Sequence, residues 1–178
     1  MGSRAWNVGV LVAIASLWLA SGTQREKPVL DSEAHASASV RGLEVQVSMN
    51  PADAVRRREL AQAYLDAKAP GLAIRVVESA PASARENPAL EHVYARALID
   101  QGRSTDALAA EHRVLATCER EASEQQRRCD TWLILSATRR SEILRQLVDL
   151  GVDDAQAHPE ASAIAYHNAT REAKLAVQ

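Results

Sequence analysis

Phenylalanine is absent from this 178-residue chain and aromatic residues make up only 3% of it, although 47% of its residues are hydrophobic. A core without large rings has to be filled by Ala, Leu and Val, and such side chains suit closely approaching helices better than a β-sandwich. Lysine occurs only at Lys27, Lys68 and Lys174, so nearly all positive charge is Arg; with the excess of Ala this points to a GC-rich, bacterial coding sequence. The formal net charge of -2 supplies no field that would draw a phosphate backbone, and nucleic acid is excluded as an expected partner. The two cysteines form no CxxC pair, and the five histidines, at positions 35, 92, 112, 158 and 167, form no HExxH or HxH pattern, so no metal is expected. A glycine-rich phosphate loop, a GxSxG elbow and a carboxylate pair in an apolar setting are all missing. The chain is therefore read as non-enzymatic, with no cofactor.

One long hydrophobic run is present, Val8 to Ala20, preceded by a single cation, Arg4, and followed by Ser21, Gly22 and Thr23. It falls short of the roughly 20 apolar residues that a bilayer crossing needs, and reads as an export signal over 1–22, cut before Thr23. The alternative is an uncleaved inner-membrane anchor; either way the remainder lies outside the cytoplasm, in a bacterial periplasm. No Cys follows the run, so lipoprotein attachment has no acceptor. From 23 to 49 the chain holds few large apolar groups and is expected to be a largely disordered linker, with a short helix just before Asn50-Pro51.

Beyond residue 50 the sequence repeats itself. The segment Leu60-Ala61-Gln62-Ala63-Tyr64-Leu65-Asp66-Ala67-Lys68 superposes on Tyr94-Ala95-Arg96-Ala97-Leu98-Ile99-Asp100-Gln101-Gly102 at an offset of 34, and Ala73 falls on Ala107. A period of this size marks stacked helix pairs, each burying its neighbour's apolar stripe. Asn50-Pro51-Ala52-Asp53, with Asn50 or Asp53 able to cap, and Asn87-Pro88 open the first helix of each pair, Pro70 and Ser104 open the second, and Pro81 closes the first unit. The fold class expected is all-α.

These residues resemble the tetratricopeptide repeat (TPR) family. Its pattern of small residue, large residue, turn and small residue falls on Ala61, Tyr64, Lys68 and Ala73, then on Ala95, Leu98, Gly102 and Ala107. Lys68 stands where the family has Gly, with Gly71 close by. A further step of 34 reaches Cys129, Trp132, Ser136 and Ser141, a degenerate third unit. The resemblance implies a short right-handed α-solenoid of two to three repeats, about 50–84, 85–119 and 120–150. The rest, 151–178, is read as a capping helix opening at His158-Pro159.

In that family the first helices line a concave face that binds a protein or peptide. The resemblance carries this role onto Arg58, Gln62 and Leu65, onto His92, Arg96 and Ile99, and onto Gln126 and Asp130. Of Arg56, Arg57 and Arg58 only Arg58 can face the groove, because adjacent helix residues point about 100° apart. Cys118 and Cys129 flank a polar stretch between two helices, and after export are expected to form a disulfide that stabilises by about 3 kcal/mol. The function expected is a protein-interaction scaffold. The alternative is a structural subunit of an envelope complex or homo-oligomer, and the sequence leaves oligomeric state open.

Overall fold

A computed structural model describes residues 29–123 and 129–175, with side chains described over 39–123 and 129–171. Every regular element among the described residues is helical: α1 (Val29–Met49), α2 (Ala54–Asp66), α3 (Pro70–Glu78), α4 (Ala82–Arg85), α5 (Pro88–Asp100), α6 (Ser104–Ser123), α7 (Thr131–Asp149) and α8 (Pro159–Leu175). None of them is long and apolar enough to cross a membrane. The segment 1–22, expected to be an export signal, and the first residues of the expected linker lie outside the described residues.

Where 23–49 was expected to be a linker with a short helix before Asn50-Pro51, that helix is present and reaches back to Val29. Between Val29 and Met49 there is no Pro and only one Gly, and Val40, Leu43 and Val47 fall at spacings of three and four on one side, where they are half-buried or buried. Counting large apolar groups understated how many good helix formers the segment contains.

Helix starts and stops repeat as the 34-residue period requires. Asp53 accepts from the amides of Val55 and Arg56 ahead of α2, and Asn87 accepts from those of Ala89 and Leu90 ahead of α5. At the other end Lys68 and Gly102 both adopt the left-handed conformation, with φ of 57° and 70°. Each makes the same pair of bonds: Lys68 N to Leu65 O and Ala69 N to Tyr64 O, then Gly102 N to Ile99 O and Arg103 N to Leu98 O. This closure satisfies the orphan carbonyls of the helix end and turns the chain back on itself. Lys68 thus occupies a glycine conformation, at a cost of about 1 kcal/mol or more for its Cβ.

Small residues let the helices approach. Ala61 and Ala95 are both fully buried, as are Ala73 and Ala107, and they share one core with Leu65, Val77, Leu90, Leu98, Leu144 and Leu147. Packing joins α2 to α3, both of these to α5, then α5 to α6, α6 to α7 and α7 to α8.

The third unit departs from the expected step. Ser136 and Ser141, placed by the period at a turn and at the start of a return helix, both lie inside the continuous helix α7. Between Asp130 and Leu150 there is neither Gly nor Pro, so nothing ends the helix until Gly151, whose φ is 71°. There the same two bonds recur, Gly151 N to Val148 O and Val152 N to Leu147 O. The segment 120–150 is therefore not a helix pair. The return helix of α7 is α8, the element expected as a cap.

A disulfide joins Cys118, near the end of α6, to Cys129, just before α7, with 5.6 Å between their Cα atoms. Val114, Leu133 and Ala137 pack around it in a second small core.

Candidate functional site

A groove of about 610 Å³ runs along the first helices of the hairpins. From α2 it takes Arg58, Glu59, Gln62, Ala63 and Asp66, from α5 Ala89, His92, Val93 and Arg96, from the start of α7 its cap Asp130 with Trp132 and Leu133, and from the middle of α7 Arg140. Ser39 and Leu43 of α1 form part of one wall. The structure thus gathers Arg58, Gln62, His92, Arg96 and Asp130 at a single surface. Leu65 and Ile99 are not there. Leu65 is 2% exposed and Ile99 packs against the core. Each follows a buried Ala, Ala61 or Ala95, by four residues and so lies only about 40° round the helix, inside the buried stripe. Gln126 falls outside the described residues.

The three adjacent arginines behave as the 100° step demands. Arg56 pairs with Glu59 at 2.7 Å on the surface, and that hydrogen bond raises its pKa. Arg57 turns inward and donates to the carbonyls of Pro51 and Val76, both at 2.6 Å, and to Ser79 Oγ. Burial lowers its pKa. Arg58 is exposed at the groove, as is Arg96.

His92 forms the groove floor rather than its rim, being 5% exposed. Its Nδ1 lies 2.9 Å from Glu111 Oε2 and its Nε2 lies 3.0 Å from Ser136 Oγ. A proton on Nδ1 satisfies both contacts, with Nδ1–H donating to the carboxylate and Nε2 accepting from the hydroxyl. Arg140 donates to Glu111 Oε1 at 2.7 Å and to the carbonyl of His92 at 3.0 Å. Glu111 is fully buried, so three helices are pinned by one carboxylate with a guanidinium on one oxygen and an imidazole on the other.

Trp132 and Arg140 were not singled out by sequence reasoning as binding residues. Trp132 is 70% exposed and meets the edge of His92 with ring centroids 6.2 Å apart. It is the sole Trp beyond the N-terminal segment. That solitary large ring in a chain so poor in aromatics was the available signal. Asp130, expected to face a partner, spends its carboxylate on the Leu133 amide as the cap of α7.

On the first hairpin, the Tyr64 hydroxyl donates to Glu44 of α1. Burial, then this bond and the charge of Glu44, push its pKa up to about 12. Tyr94 is raised in the same way, by burial and then by its bond to Glu78. A second cavity of about 670 Å³, between α3, α4, α5 and α6, shares no lining residue with the groove. Its Glu91 is engaged by Arg113 at 2.6 Å. No group of three or more His, Cys, Asp or Glu among the described residues could hold a metal ion.

The class these coordinates define is an all-α protein built from consecutive helical hairpins and carrying a disulfide. Comparison with protein families, with curated proteins and with solved structures finds no match for this chain.

Proposed function

We propose that this chain is a TPR-like interaction module that holds an extended segment of another polypeptide along α2, α5 and the start of α7, and that it carries out no catalysis. The observation that supports this reading most strongly is the convergence of Arg58, Gln62, His92 and Arg96, all proposed from a repeat resemblance, on one groove with an exposed Trp at its edge. Arg58 and Arg96 have no charged partner among the described residues, so their forks are available to a carboxylate or to backbone carbonyls. Trp132 adds the type of side chain that concentrates binding energy at interfaces. An oxidising, extracytoplasmic location is compatible with the disulfide.

Affinity capture from the host with wild type and with Arg58→Glu plus Arg96→Glu tests the groove. The reading expects the partner recovered with wild type to be lost with the double variant; equal recovery removes both arginines from the argument.

A second reading, a subunit whose surface packs on its own oligomer, draws support from Trp132 and Leu135, 70% and 65% exposed one turn apart on α7. Mass determination in solution separates the two, because a monomer at micromolar concentration disfavours self-packing.

A further inference from the structure

The helix α1 precedes α2 directly, where an array would place the second helix of a preceding hairpin. Such a helix packs along its length, as α6 does on α7. Among the described residues, no packing comparable with this joins α1 to another helix. What α1 contributes instead is a wall of the groove, through Ser39 and the half-buried Leu43. A buried Val47 and the bond from Tyr64 to Glu44 complete its attachment, while Val45 and Met49 stand 56% and 80% exposed. An amphipathic segment held by a few side chains at the edge of a binding groove is attached as a ligand is, not as a repeat helix is.

We infer that residues 39–47 are a resident occupant of the groove, which an incoming polypeptide must displace to lie along its full length. The inference rests on the groove being a protein-binding surface, and it adds regulation to that reading. Glu44 spends its charge on Tyr64 and leaves both guanidiniums open, so a partner can engage them first and then lift α1 away. Occupancy in cis weakens apparent affinity by the fraction of molecules in which the groove is free, so a segment docked about nine-tenths of the time reduces it about tenfold.

The test uses the full chain and a fluorescein-labelled synthetic peptide spanning residues 38–50. Leu43→Ser with Glu44→Gln removes two of the segment's side-chain ties and leaves the buried Val47, and Tyr64→Phe removes one of those two from the opposite side with a single atom. The peptide is expected to bind the double variant at least about tenfold more tightly than wild type, with Tyr64→Phe between them. Hydrogen exchange on wild type is expected to be at least about tenfold faster in 40–49 than in α5. Equal protection of α1 and α5, or equal peptide affinity for all three proteins, overturns the inference. A partner that needs Arg58 and Arg96 but binds wild type and double variant alike also overturns it, and leaves the groove reading intact. Peptide binding to the double variant without any groove-dependent partner sustains the inference and counts against that reading alone.

Discussion

The pair Arg58 and Val77 in the first hairpin occupies the same two places in the 34-residue period as His92 and Glu111 in the second, with opposite results. Val77 is buried and apolar, offers nothing to a polar neighbour, and Arg58 stays out in the groove. Glu111 is buried and charged, and His92 is drawn in to meet it at 2.9 Å. The partner that makes this tolerable is Arg140, which donates to Glu111 from α7. Backbone geometry is what the repeat transmits; which side chains face the groove is decided by one buried neighbour in each unit.

The largest expected effect breaks the second arrangement. Glu111→Val gives the second hairpin the first one's core residue but strands Arg140 and His92, and is expected to cost about 3–5 kcal/mol in urea melts. Adding Arg140→Leu is expected to restore much of that loss, since a pair replaced by apolar groups is nearly neutral. Failure of the second change to restore stability would mean the network is not what Glu111 serves.

Next comes the covalent tie between the second hairpin and the segment just before α7. Cys118→Ser with Cys129→Ser, or reduction of the native protein, is expected to lower stability by about 2–4 kcal/mol, with the second small core loosening first in hydrogen exchange. The first hairpin should exchange as before.

The two left-handed turns give a smaller contrast of opposite sign. Gly102→Ala is expected to destabilise by about 1–2 kcal/mol from backbone strain, and by more if Asp154 cannot move, because its Cγ lies 2.9 Å from where the new Cβ would be. Lys68→Gly is expected to stabilise by a fraction of that, as relief of strain is partly offset by a floppier unfolded chain. Thermal melts of the two variants check both signs.

The smallest effect concerns pH. Tyr64 titrates near 10 when unfolded and near 12 when folded, so its contribution is whole below about pH 10 and fades as pH rises toward 12. Tyr64→Phe should flatten that part of the alkaline limb, leaving the share of Tyr94. An unchanged limb would show that the Tyr64 bond to Glu44 is not maintained.

What could be read from the sequence was whatever the chain repeats. Ala61 with Ala95, Ala73 with Ala107, and Lys68 with Gly102 are each conspicuous because two copies agree, and each pair proved structurally equivalent. The third hairpin escaped because α7 runs for 19 residues where α2 and α5 run for 13, which moves its turn to Gly151. The motif of Asp, any residue and a left-handed residue still recurs at Asp66, Asp100 and Asp149, and a search for that triplet rather than for the period would have found it. Burial of His92 was not legible, since it depends on Glu111 and Arg140, separated from it by 19 and 48 residues. The attachment of α1 was hidden for a related reason: its Glu44 is met by Tyr64 of α2, 20 residues away.

The claim on which the functional account rests is that the groove side of α2 and α5 meets another polypeptide while the far side of α6 does not. Photocrosslinking in host cells, with the reactive group placed at Gln62 or at the exposed His112, tests it most directly. The account expects a discrete adduct with a second protein from position 62, abolished by Arg58→Glu with Arg96→Glu, and none from position 112; the same adducts from both positions, or from neither, would contradict it.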